Sequence, residues 1–401
     1  MNRNYENIET TNLKLGEFNA AGDAVATYRG VEISVFGGIP GEEVTVQIHR
    51  YKKRGKEKLA GIVVDVNKIS EHRIPHPCPY FGPCTGCQWQ HIDYPYQLIL
   101  KRSQVTKLFQ RYPELSNIDV QATVPSPGVF EYRNHARFTV RKQGYLGFVN
   151  RITRKFIQVD HCMLMTKGIN KILTHLQGKV METSQLSIRH GVNTNEWLIQ
   201  PAIKNTDVEL LSGQTHYREV LKGRSFRVAS PSFFQVNTLQ AEVLTDLVTQ
   251  RCNLNPSSRV VDAYAGVGTF TALLAENSFQ VIAIEESAAA IKDASINLAG
   301  LENVKFIESK TEDAILNLPF TPDAVVIDPP RAGCHIKVLE SVLMKMVKRI
   351  VYVSCDPDTL ARDLSILVKG GYKLIDVQPV DMFPQTHHVE CIATLIGRSS
   401  H

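Results

Sequence analysis

A chain of 401 residues is long enough for two or three separately packed units. With 43% hydrophobic and 21% charged residues it reads as an ordinary globular protein, and no stretch stays apolar for the length of a membrane span, which argues against a helical membrane protein. The net charge of +5 hides an asymmetry: residues 1–165 carry 22 Lys and Arg against 15 Asp and Glu, and residues 166–401 carry 23 against 25, so a basic, nucleic-acid-facing N-terminal part is expected.

Residues Met1–Asn7 contain no apolar core and do not form a signal peptide, so a cytoplasmic protein is expected, with cysteines that are thiols or metal ligands rather than disulfides. Over residues 1–65 the pattern predicts short strands. Val31–Phe36 and Val44–His49 alternate on either side of a turn at Gly37–Gly41, and Ile62–Val66 adds another. Short strands with Gly and Pro turns suggest a small β-barrel. Between two of them, Arg50–Lys58 holds six basic residues in nine, a hairpin suited to a nucleic-acid backbone. Residues 70–90 are rich in Pro, His and Cys. Cys78, Cys84 and Cys87 form a dense thiol cluster, and Cys162 is a candidate fourth ligand. The spacing leaves both zinc and a [4Fe–4S] cluster open, and His76, His91 and His161 keep a mixed zinc site possible. Residues 94–112 read as an amphipathic helix. Its apolar face carries Leu98, Val105, Leu108, Phe109 and Tyr112, with Lys101, Arg102, Lys107 and Arg111 elsewhere. Residues 130–160 read as hairpins, with Arg133, His135, Arg137 and Arg141 along the first.

From about residue 255 the pattern alternates strand and helix, which predicts a doubly wound α/β sheet that binds ligand at the carboxyl ends of its strands. The strand Arg259–Ala263 leads into Gly266 and Gly268, where backbone can approach a ligand closely. Position 271 is Thr, so the third glycine of a dinucleotide fingerprint is missing. Glu285 ends the next strand where a ribose-hydroxyl acceptor belongs, so a nucleoside cofactor without pyrophosphate fits best, S-adenosylmethionine being the common one. Asp328 precedes two prolines that fix it at the sheet edge. Cys355 lies between an apolar strand and a helix start, the setting of a nucleophilic thiol. Glu390 enters an apolar strand, where loss of water raises a carboxyl toward use as a base or acid.

Together these motifs resemble the RNA (uracil-5-)-methyltransferase family over most of the chain. The segments that carry the resemblance are Ser230–Asn237, Asp262–Phe270, Asp328–Arg331, Ser354–Asp363 and Phe383–Glu390. The resemblance implies an S-adenosylmethionine-dependent enzyme forming 5-methyluridine in RNA. Cys355 would be its nucleophile and Glu390 its base, with Gln235, Tyr264, Glu285 and Asp328 on the cofactor. Residues 1–65 are similar to the TRAM barrel of the iron–sulfur-bearing branch. Cys78, Cys84, Cys87 and Cys162 match that branch's ligands, which makes [4Fe–4S] the expected group and zinc the runner-up. The implied organisation is a barrel over 1–65, a central α+β domain over 66–228 and a Rossmann-like catalytic domain over 229–401. The implied partner is RNA, with large-subunit ribosomal RNA favoured and transfer RNA the alternative; no membrane and no protein partner is implied. An exocyclic-amine RNA methyltransferase is the other enzyme reading. Asp356 stands where Asn is frequent in the family, and its carboxylate is expected to oppose thiolate formation at Cys355.

Overall fold

The computed structural model describes residues 9–53 and 56–397. The sequence Met1–Asn7 and, within the basic Arg50–Lys58 stretch, Arg54 and Gly55 lie outside these residues, as do the side chains of 52–56.

Five strands open the chain: β1 (Glu9–Lys14), β2 (Ala24–Tyr28), β3 (Val31–Phe36), β4 (Glu43–Lys53) and β5 (Lys56–Lys68). They form one sheet in the order β1-β4-β5-β3-β2. Beyond β1 the chain turns onto the opposite edge, where Gly16 N donates to Val25 O at 2.7 Å and Val25 N donates to Glu17 O at 3.0 Å. The sheet is thereby rolled around Val35, Val44, Val46 and Ile33, all buried. Helix α1 (Tyr94–Phe109) follows, then a second five-stranded sheet. Its strands are β6 (His135–Val140), β7 (Leu146–Val149), β8 (Phe156–Gln158), β9 (Gln185–His190) and β10 (Trp197–Gln200), with α2 (Lys167–Leu176) packed against it. A hairpin of β11 (His216–Leu221) and β12 (Arg224–Ala229) leads to α3 (Thr238–Cys252).

The third sheet has seven strands. They are β13 (Arg259–Ala263), β14 (Gln280–Glu285), β15 (Val304–Glu308), β16 (Ala324–Ile327), β17 (Arg349–Ser354), β18 (Lys373–Val380) and β19 (Glu390–Ile396). Helices α4 (Thr269–Ala275), α5 (Ala288–Asn297), α6 (Thr311–Leu316), α7 (Ile336–Met344) and α8 (Pro357–Lys369) connect them. The order is β15-β14-β13-β16-β17-β19-β18, parallel as far as β17 and antiparallel at β19. Apolar runs such as Val260–Val261 and Ile350–Val353 are buried on both faces, as a helix-covered parallel sheet requires. The order reverses at β13, so a crevice opens at its carboxyl end. Among the described residues no helix is long and apolar enough to cross a membrane.

The helix expected over 94–112 forms, but its buried stripe differs from the one the sequence suggests. Gln97, Lys101, Val105 and Phe109 face inward at a spacing of four. Lys101, expected on the polar side, is fully buried because its ammonium pairs with the buried Asp381 carboxylate. This segment packs on the third sheet: Val105, Phe109, Leu115 and Val120 share a core with β17 and α8, and Val120 and Val124 bridge Val377 and Val380 of β18.

Candidate active site

The crevice at the end of β13 gathers residues from four places in the chain. Gln235, Tyr264 and Asp328 line it together with Phe233, Phe234, Gly266 and Thr269. Its floor is the turn from β13 into α4. Gly266 and Gly268 adopt φ of +56° and +90°, and Tyr264 itself sits at +66°, a left-handed conformation that a bulky side chain rarely holds. Glu285, at the end of β14, braces this turn: one carboxylate oxygen accepts from Gly266 N at 2.9 Å and the other from Ser287 N at 2.9 Å. Each oxygen keeps a lone pair for a ligand hydroxyl. Gln235 is held by its carbonyl, which accepts from Asn134 Nδ2 at 3.0 Å. Below the turn lies Asp262, which the sequence reading left without a role. Its Oδ2 accepts from Thr271 Oγ1 at 2.5 Å and its buried Oδ1 has no partner. Burial lifts the Asp262 carboxyl to about 7, and burial with the neighbouring Asp262 charge lifts Asp328 in the same direction.

Cys355 and Glu390 meet at the same edge. The β17–β19 register pairs Ser354 with Cys391, so Cys355, one residue beyond β17, comes opposite Glu390, the first residue of β19. Cys355 is half-buried and Glu390 buried. Burial is the main reason the Cys355 thiol is pushed up to about 11, and the Glu390 carboxylate adds to the shift. Burial, then the Asp328 charge, raises Glu390 well above the usual carboxylate range. The Arg331 guanidinium opposes both shifts. Arg331 ends the Asp-Pro-Pro-Arg motif, which was the available signal for it.

Two features of the turn bear on the Cys355 thiol. Loss of water pushes the Cys355 thiol up, against the pull expected of a helix start. Glu390 and Asp328 are among the charges that raise the thiol, and the Asp356 carboxylate caps α8, its Oδ1 accepting from Asp358 N and Thr359 N at 3.1 Å each.

Away from this edge, Cys78, Cys84, Cys87 and Cys162 line one cavity of about 290 Å³, with Arg133, His135, Arg137 and His161 around it. Cys162 reaches the other three although it is distant in sequence. Burial raises all four thiols, Cys84 to about 11. Among the described residues no group of three or more His, Cys, Asp or Glu is arranged to hold a single metal ion. His91 is buried and turned toward Gly38 O, and His76 toward Cys78 O.

The profile of the tRNA (Uracil-5-)-methyltransferase family matches residues 209–398. An uncharacterised RNA methyltransferase of Gloeobacter violaceus is 34% identical, with 96% of each chain covered. One from Thermotoga maritima is 31% identical, covering 92% of this chain and 94% of the relative. The chain belongs to the RNA (uracil-5-)-methyltransferase family. Among solved structures, the Pyrococcus abyssi tRNA (uracil-54, C5)-methyltransferase, in complex with S-adenosyl-L-homocysteine, superposes with a TM-score of 0.75 at 25% identity, over 96% of this chain and 99% of that one. The third sheet is thus the fold of an S-adenosylmethionine-dependent methyltransferase. This uracil-5-methyltransferase also contains residues that sequence reasoning missed, Lys101 and Gln97 on α1, which reach the segment leading into Glu390. No local motif marks them, because their partners lie 280 and 288 positions away.

Proposed function

We propose that the protein methylates C5 of a uridine in RNA, with Cys355 as nucleophile, Glu390 as base, and Gln235, Tyr264, Glu285 and Asp328 on the cofactor. The observation that carries this reading is the opposition of Cys355 and Glu390 beside a crevice lined by Gln235, Tyr264 and Asp328. The residues suit S-adenosylmethionine: a glycine turn braced by a carboxylate with spare lone pairs, and the buried, unpartnered Asp262 Oδ1 below it. When bound, that cofactor supplies an electrophilic methyl group on a sulfonium. Uracil C5 is too weakly nucleophilic to accept it unaided. Addition of the Cys355 sulfur to C6 pushes the C5–C6 electron pair toward C5 and O4, making an enolate. Arg331 at the sulfur favours the charged thiolate that this step needs. Once C5 carries its methyl group, Glu390 takes the C5 proton, the C5–C6 double bond re-forms and the Cys355 thiolate leaves.

Residues 1–65, which contain most of the rolled sheet, are proposed as a TRAM-like barrel that binds RNA, 66–228 as a central domain and 229–401 as the catalytic domain. The packing of α1 on the third sheet supports extending the catalytic core to residues 94–124. For the thiol cavity a [4Fe–4S] cluster is proposed. Four thiols around a roomy cavity suit a cluster, whereas zinc needs its ligands about 2.3 Å from one point. Large-subunit ribosomal RNA is the proposed substrate. Transfer RNA is the second reading, favoured by the likeness to the Pyrococcus abyssi enzyme. A cytoplasmic enzyme without a membrane partner is proposed as well.

The test has two parts. With RNA containing 5-fluorouridine and S-adenosylmethionine, the wild type should form a denaturation-resistant protein–RNA complex. Cys355→Ala should form none and should lose turnover by a factor on the order of 10⁴ or more. Retained turnover in Cys355→Ala would point to exocyclic-amine chemistry. Mapping 5-methyluridine in ribosomal and transfer RNA with and without the gene then assigns the substrate, and unchanged RNA sinks the proposal.

A further inference from the structure

The segment that delivers Glu390 takes many of its partners from the first third of the chain, besides Asn237, Arg331 and its own turns. Beyond β18, Asp381 takes the Lys101 ammonium, which also donates to Phe383 O at 3.1 Å. Tyr132 Oη donates to Pro384 O at 3.0 Å. Trp89 N donates to Gln385 O at 3.1 Å, and Gln88 Oε1 lies 3.3 Å from His387 Nδ1. A Cβ on Gly22 would come within 2.5 Å of His387, so the turn before β2 lies directly against that ring.

Gln97 is the node of this clamp. It is fully buried one helical turn before Lys101. Its amide nitrogen donates to Gln385 Oε1 at 3.0 Å, and its amide oxygen accepts from Gln385 N at 3.0 Å. The same nitrogen reaches Ile92 O at 2.9 Å and Trp89 O at 3.1 Å. Gln385 has φ +68°, so its backbone sits in a left-handed conformation that needs outside support. Trp89 and Gln88 directly follow Cys87 of the thiol cavity. One side chain therefore ties together the cysteine segment, α1 and the residue five positions before Glu390.

We propose that Gln97 is a positioning residue for Glu390: through its paired bonds to Gln385 it fixes the 381–389 segment against the Cys87–Ile92 segment, and its loss impairs proton removal from C5 rather than thiol addition to C6. The proposal rests on the assignment of Glu390 as base. Its signature follows from the chemistry. If Cys355 adds and C5 is methylated but the C5 proton stays, the thiolate cannot be expelled and RNA remains bonded to the protein. With 5-fluorouridine the fluorine cannot leave as a cation, so the adduct forms whether or not the base is in place.

The experiment uses the full-length protein with unmodified substrate RNA and S-adenosylmethionine. Gln97→Leu should lower kcat by about tenfold to a hundredfold and accumulate a denaturation-resistant RNA complex that the wild type does not. Its 5-fluorouridine adduct should form at close to the wild-type rate, which also shows that the variant is folded. Gln385→Gly removes the same side-chain bond where the left-handed backbone suits glycine, and it should behave alike, serving in place of Gln97→Leu if that variant does not fold. Glu390→Gln is the reference. If Glu390→Gln accumulates the complex and neither Gln97→Leu nor Gln385→Gly does, the positioning role is overturned and the base assignment stands. If Glu390→Gln accumulates none, the base assignment itself fails, and this inference with it.

Discussion

Cys355 and Glu390 face each other across one strand pair, yet they are held in opposite ways. The turn that carries Cys355 is held largely by neighbours in sequence: Ser354 Oγ donates to Asp356 O at 3.0 Å and Asp356 caps Asp358 and Thr359, with one bond from Thr359 Oγ1 to Arg331 O. Around Glu390 the contacts are remote: Gly22, Gln88, Trp89, Gln97, Lys101 and Tyr132 hold the preceding segment. A strand-to-helix turn can fix a thiol with a few neighbours in sequence. An irregular segment between two strands satisfies only part of its own backbone, so it borrows further partners from elsewhere in the fold. The turn of the nucleophile is therefore set mainly by the catalytic sheet and its own helix, and the segment of the base depends on residues from much of the chain.

The sharpest test of this contrast is the thiol itself. A group raised to about 11 is almost wholly protonated at pH 8, with roughly one thiolate in a thousand, so alkylation of Cys355 in the free protein should be slow there. Its rate should climb about tenfold per pH unit until it levels near pH 11. A plateau below pH 8 would mean that the Arg331 contact outweighs burial. Next in size is Lys101→Met. Removing the ammonium strands the buried Asp381 carboxylate, a loss of about 3–5 kcal/mol. Denaturant unfolding should show that loss. If instead the variant unfolds like the wild type, the remote clamp is not what holds the base segment.

The same contrast explains what the sequence reveals. The strand Arg259–Ala263, expected from pattern alone, forms with those bounds, and the next strand ends at Glu285 as expected, because apolar run length and flanking turns are local signals. The opposition of Cys355 and Glu390 follows from β19 inserting between β17 and β18, which no local signal encodes. Lys101 reads as polar by residue type, and only its partner 280 positions later turns it inward. The crevice shows the same division: its glycines are visible in the sequence, but the burial that lifts Asp262 and Asp328 comes from packing.

The smallest effect expected is at Asp356, and it probes the local half of the comparison. Its Oδ1 accepts two backbone N–H groups of the first turn of α8. Asp356→Ala leaves those donors unpaired and should cost about 1 kcal/mol, a fall of about 2–4 °C in Tm, and the Cys355 turn should loosen with it. Asp356→Asn keeps an oxygen at the same place and should retain both stability and the slow alkylation of Cys355. If removing the charge in Asp356→Asn speeds alkylation tenfold, the carboxylate does act on the sulfur and the capping geometry is not the whole of its effect. If only Asp356→Ala changes, the carboxylate serves the helix, and the proton on Cys355 is governed from across the sheet by Glu390 and Arg331.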